Sequence, residues 1–262
     1  MKTIVIDDQL IDKLYTVRWY MTNNKTMPPA VQADWLTYMA LALGPVPGSV
    51  PVVPPDELIG YPRPTPPAII NQPWLVTGTD FPIVGQFLAT VEELMAYMLG
   101  IEAEGNMSWH GRGVTLHHTS SPSLSMRPDG WEKQHMFNLR SYYKNTRKFR
   151  SGPHIFTDDR GWWIFTPLTL RGVHAKAFNG THWGIEALGD FDYKDDPTTG
   201  RGHLSWQNAL LAAACLAKVW DFNPATMVNF HRDDPSTTKD CPGLKINKTN
   251  TIAQVAAYFA KL

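Results

Sequence analysis

A chain of 262 residues has room for one sizeable domain, or for a catalytic domain of about 160 residues with an accessory segment. With 43% hydrophobic residues, 18% charged residues and ten tryptophans, the composition is that of a folded globular chain and argues against extensive disorder. Twenty-four basic residues balance 24 acidic ones, so no net field draws the chain onto nucleic acid or an anionic membrane surface. The first residues, Met1 to Asp8, lack the apolar core of a secretory signal, and no apolar run approaches the roughly 18 residues that cross a bilayer. Two cysteines, Cys215 and Cys241, are too few for a disulfide framework.

Along the chain, Trp35, Leu36, Met39, Ala40 and Leu43 recur at helical spacing and predict a short amphipathic helix over residues 32–43. Eleven of the 21 prolines fall between Pro45 and Pro82, where lost backbone donors favour an extended linker or wrapping arm. Thr90 and Glu93 have capping-box spacing, and Val91, Leu94, Met95, Met98 and Leu99 line one face of a helix ending near Gly105.

From about Gly111 strand and helix patterns alternate. Val114, Leu116 and the histidines after them predict a strand, and residues 131–147 a helix with Trp131, Met136, Leu139 and Tyr143 inward. Short strands are expected at 154–157, 162–165 and 183–188, the first two joined by the turn Asp158-Asp159-Arg160-Gly161. A helix is expected from Ser205, as N-cap, to Trp220. Residues 227–231 then resemble a strand, and Ile252, Val255, Ala256 and Phe259 mark a last helix. The plan is α/β, a central mixed β-sheet flanked by helices with an N-terminal helical and proline-rich extension. It divides into an accessory segment, 1–105, and an α/β domain, 106–262.

Three segments place metal-type ligands at or near the ends of apolar runs. These are His117-His118-Thr119-Ser120, His231-Arg232-Asp233-Asp234 and Lys239-Asp240-Cys241-Pro242-Gly243. A catalytic zinc takes three protein ligands and leaves a fourth position to water, a count that two histidines and a thiolate meet. Singly, each segment is weak: paired histidines commonly pack or bind water, a lone cysteine is mostly an inert thiol, and a lone lysine is solvated. Cys215, on the inward face of its helix, keeps the inert reading, and His110, His135, His182 and His203 have no motif support.

In combination, these features resemble the zinc-dependent N-acetylmuramoyl-L-alanine amidases, the superfamily of phage lysozyme-type amidases and peptidoglycan-recognition proteins. The resemblance is carried by the strand ending in His-x-Thr-Ser, by Trp183-Gly184-Ile185-Glu186, and by His231 and Cys241 with Lys239 just before Cys-Pro-Gly. It covers about residues 110–262 and is strongest over 116–120, 152–189 and 231–243. It implies Zn2+ held by His117, rather than His118, with His231 and Cys241. Glu186 is the implied acid–base residue and Lys239 the implied stabiliser of the transition state, with His154, His174, Asn179 and His118 as substrate-binding residues. One departure stands out: where several relatives carry a Tyr before a His, this chain reads Gly152-Pro153-His154, so that phenol is absent.

The implied partner is peptidoglycan, cut at the amide between N-acetylmuramic acid and L-alanine, with no nucleic acid or membrane involved. The implied setting is a phage or prophage endolysin, cytoplasmic until released or carried on a virion, acting on the cell wall. Two alternatives stay open: a recognition module that binds without cutting, and an amidase of soluble muropeptides in wall recycling. A binding-only relative is expected to lack a metal ligand, most simply the cysteine, and this chain has all three. A glycosidase would need two closely placed carboxylates, and no motif singles out such a pair.

Overall fold

The computed structural model describes residues 80–262 except 106 and 108, so the helix expected over 32–43 and the proline-rich stretch to residue 79 lie outside the described residues. Among the described residues six strands form one mixed sheet: β1 (Gln86–Leu88), β2 (Gly113–His118), β3 (Ile155–Asp158), β4 (Gly161–Ile164), β5 (His182–Ala187) and β6 (Val228–Phe230). Their spatial order is β1-β4-β3-β5-β2-β6. The run β3, β5, β2, β6 is parallel, whereas β4 is antiparallel to β3 and to β1. Five α-helices among the described residues accompany it: α1 (Val91–Glu104), α2 (Lys133–Ser141), α3 (Gly200–Val219), α4 (Pro224–Met227) and α5 (Lys248–Lys261).

Side chains alternate across a pleated strand, so each strand feeds two faces. Val114 and Leu116 of β2, Trp183, Ile185 and Ala187 of β5, and Val228 and Phe230 of β6 belong to one buried core, completed by α3. Ala209, Ala212, Ala213, Ala214 and Ala217 of α3 are fully buried, and their short side chains let the helix lie close on the sheet. Helices α1 and α5 pack on α3 in turn, which explains why it is apolar around most of its circumference. On the opposite face, Phe156, Trp163 and Phe165 meet Trp131 and Met136 of the α2 region and Phe81 and Ile83 in a second core. That core covers the β3–β4 side. The parallel side of the same face carries Thr115, His117, Gly184, Glu186 and Asn229, by the register of β2 with β5 and β6.

Local chemistry sets several boundaries. Thr90 and Glu93 form the expected reciprocal capping bonds, and Gly105 ends α1 in the left-handed conformation with φ 64°. The β3–β4 turn closes on Gly161 at φ 150°, where a Cβ would lie 2.3 Å from the carbonyl oxygen of Leu88. Two sequence expectations are corrected. The helix expected to reach residue 147 stops at Ser141 and widens into a π-helical turn, Tyr142–Thr146, which turns Tyr143 onto Phe149 and Phe165. Helix α3 begins at Gly200 rather than Ser205, since Arg201 anchors its first turn to Asp159 at 2.7 and 2.8 Å. Ser205 lies buried inside the helix and donates to the Leu188 carbonyl. Residues 86–104, on the accessory side of the expected boundary, supply edge strand β1 and helix α1 to these layers.

The close seating of α3 gives a direct test. Ala213→Leu inserts three carbons where no space is left and should lower stability by about 1–3 kcal/mol, read as a reduced urea midpoint with an unchanged slope.

Candidate active site

His117 and Glu186 are the penultimate residues of β2 and β5 and stand side by side in the parallel register, so the pleat directs both to one face. His231 follows β6 directly and opens the 3-10 turn His231–Asp233. The site therefore forms beyond the C-terminal ends of adjacent parallel strands, the usual position in open α/β sheets. Cys241 arrives from the loop after this turn. Arg232 holds that loop: its backbone N–H donates to the Cys241 carbonyl at 2.9 Å, and its guanidinium donates to the carbonyls of Asp240, Gly243 and Ile246.

The donor atoms converge. Nδ1 of His117 lies 3.1 Å from Nδ1 of His231 and 3.7 Å from Sγ of Cys241, and one donor atom from each residue falls within 4.8 Å of the others. Tetrahedral zinc with Zn–N of about 2.05 Å and Zn–S of about 2.3 Å separates two nitrogens by roughly 3.3 Å, and a nitrogen from a sulfur by roughly 3.6 Å. The residues present therefore fit zinc in spacing and in donor chemistry. His117 and Cys241 are almost wholly buried. Burial holds the His117 imidazole well below its usual range and lowers His231 too, so both rings offer lone pairs at neutral pH. Burial, with the Glu186 carboxylate beside it, pushes the Cys241 thiol up, so ionisation there calls for a cation.

Burial also raises the Glu186 carboxyl to about 8, and the Lys239 charge opposes this. A carboxyl poised near neutral pH is suited to take and return a proton. Lys239 is itself exposed on the loop before Cys241, yet its charge acts on His117, His231, Glu186 and Cys241 alike.

Of the remaining expected residues, His118 and His154 have partners outside the donor cluster. His118 points to the α3 face, where its Nδ1 accepts from the Phe191 N–H at 3.1 Å and its ring stacks on Phe191. Fully buried His154 accepts from the Gly184 N–H at 3.0 Å and reaches the Leu170 carbonyl at 2.9 Å, with Trp109 stacked on its ring. Burial lowers it to about 4. His174 does lie beside the cluster, with Nδ1 3.1 Å from Nε2 of His117. Asn179 caps the His174 loop, its Oδ1 accepting from the N–H groups of His174 and Ala175. Cys215 is buried in the helical core, its thiol raised by burial to about 12.

Two residues had no expected role. Arg232 is the clamp described above. Asp234, buried, accepts from the Ala177 N–H at 2.9 Å and ties the His231 turn to the His174 loop. Their one sequence signal is adjacency to His231.

With that geometry in place, the comparison with known families is decisive. The family described as N-acetylmuramoyl-L-alanine amidase matches residues 105–244, more than half of the chain and all of the cluster. The chain belongs to the N-acetylmuramoyl-L-alanine amidase family. Membership gives it a role in cutting or recognising peptidoglycan. No curated protein matches the sequence. Among solved structures, the chain is similar to the PlyG catalytic domain at 14% identity and TM-score 0.42, covering 57% of this chain and 83% of that one. It is similar to wild-type Drosophila PGRP-LB at 19% and 0.42, covering 57% and 84%, and to PlyL at 15% and 0.38, covering 58% and 82%.

The opposite facing of the two adjacent histidines separates their variants. After zinc loading and desalting, elemental analysis should find about one zinc per chain in His118→Ala and little in His117→Ala. The reverse pattern would place the ligand on the other face of β2.

Proposed function

We propose that this chain is a zinc-dependent amidase that hydrolyses the bond between N-acetylmuramic acid and L-alanine in peptidoglycan, in the service of cell lysis. The observation that carries the reading is the convergence of His117 Nδ1, His231 Nδ1 and Cys241 Sγ beside Glu186. Zinc bound to those three atoms would supply a Lewis acid and lower the pKa of a water toward roughly 7.

The chain's own groups supply the rest. An amide resists hydrolysis because water is a poor nucleophile and the departing amine needs a proton. Glu186 accepts a proton from water as the carbonyl is attacked and delivers it to the alanine nitrogen as the C–N bond breaks. One water is consumed, and a lactyl carboxylate and a free amine result. Lys239, on its exposed loop, stabilises the negative charge that develops on the carbonyl oxygen. His118 and His154 are committed to backbone partners, so on this reading they support the site rather than bind substrate. We also propose that residues 106–262 are the amidase unit and that residues 1–105 are accessory, with β1 at the edge of the sheet and α1 packed on α3.

Digestion of purified peptidoglycan, with the new ends identified by mass spectrometry, tests the bond: free L-alanine amino termini should appear, without new reducing sugars. Chelation should abolish the activity until zinc is returned. Cys241→Ser should lose both zinc and rate. Glu186→Gln should keep zinc and lose roughly 100-fold or more in rate, the scale of a positioned acid–base group. Lys239→Ala should also keep zinc and slow. Binding of peptidoglycan without any new amine ends would make this a recognition module.

A further inference from the structure

His174 holds a position that the proposed amide chemistry does not use. Its Nε2 lies 3.0 Å from the backbone carbonyl of His182, and its Nδ1 lies 3.1 Å from Nε2 of His117. A carbonyl oxygen can only accept, so Nε2 of His174 carries the hydrogen, and in the neutral ring Nδ1 is then an acceptor. The hydrogen between the two rings therefore belongs to Nε2 of His117. This leaves Nδ1 of His117 with a free lone pair, and that is the atom 3.1 Å from His231 Nδ1 and 3.7 Å from Cys241 Sγ.

We infer that His174 is a positioning residue: by accepting from Nε2–H of His117 it sets the tautomer of that ring and aims its Nδ1 lone pair at the metal position. The inference rests on the zinc reading above. Both ring nitrogens of His174 are committed, so it has nothing left to offer a bound peptide, contrary to the substrate-binding role expected from the sequence.

Two features of the fold hold this ring in place. Asn179 Oδ1 accepts from the backbone N–H groups of His174 and Ala175 at 2.8 and 2.9 Å, fixing the loop from which the ring projects. Gly184 gives the ring its seat on β5, because a Cβ there would fall 2.4 Å from Cγ and 2.7 Å from Cδ2 of His174. The glycine of Trp183-Gly184-Ile185-Glu186 is thus explained by the imidazole lying over it. Partners that orient a ligating histidine usually matter to metal affinity almost as much as the ligand does.

The test uses the full chain with zinc alone as the probe, and reads zinc affinity by chelator competition and histidine tautomers by 15N NMR of the zinc-free protein. Unsubstituted protein should show His117 with its hydrogen on Nε2. His174→Leu should weaken zinc binding by roughly 10–100-fold and release the His117 tautomer. His174→Asn, whose Oδ1 can stand where Nδ1 stood, should recover most of both. If His174→Leu does not fold, the unsubstituted protein and the Asn variant still decide. Unchanged zinc affinity in His174→Leu, or a His117 hydrogen on Nδ1 in the unsubstituted protein, overturns the role of His174 alone. Failure of the unsubstituted chain to take up zinc overturns the metal reading and this role with it.

Discussion

Side chains change face at every residue of a pleated strand, and at the end of β2 that alternation sends two adjacent histidines to opposite sides of the sheet. His117 goes to the face shared with Glu186, and His118 goes to the α3 face, where it holds the backbone of Phe191. A slip of one residue in the β2–β5 pairing would exchange the two sets, placing Leu116 in the site and His117 in the apolar core. The register is guarded by what lies behind it. Val114, Leu116, Trp183 and Ile185 fit one buried layer against the alanines of α3, and a one-residue slip would put Thr115 and His117 into that layer instead. The site's geometry is in this sense a by-product of core packing on the opposite face.

The loops add what the sheet cannot. His231 leaves β6 in a tight turn, and Cys241 lies on the following loop with no regular structure to place it. Arg232 replaces that structure by reaching the carbonyls of Asp240, Gly243 and Ile246, a use of its planar fork of donors that lysine could not reproduce. Asp234 in turn fastens the same turn to the loop of His174. Together they hold the metal-type donors and the ring behind them from two sides, so that a site built largely from loops has strand-like precision.

Much of this was legible in the sequence, and the exceptions have physical causes. The strands around His117 and Glu186 and the helix 91–104 carry strong local signals: apolar runs, a capping box and a terminal glycine. The convergence of His117, His231 and Cys241 was expected because three short patterns, weak singly, carry the family resemblance together and in order. Strand β1 was not, because three residues, Gln86 to Leu88, are too few to display alternation. The start of α3 was not, because Gly200 and Gly202 are poor helix formers and the first turn is secured by Arg201 reaching a distant aspartate. The true partners of His154 and His174 were illegible for the same reason: carbonyls and N–H groups far along the chain decide their roles, and local spacing does not encode them.

Four histidines, His117, His154, His174 and His182, crowd this side of the sheet, and burial lowers the pKa of every one. Charged, they would repel one another. Neutral, each ring has one donor and one acceptor, so the rings can join in a directed line. That line runs from the His182 carbonyl through His174 to His117, while His182 itself meets the Asn229 amide at 3.1 Å and the Thr181 hydroxyl at 2.8 Å. The same desolvation that makes an imidazolium costly here makes an imidazole lone pair available at the end of the line. Burial thus does two things at once: it keeps the cluster from repelling itself apart, and it leaves the donor atoms of His117 and His231 free for a cation rather than for protons.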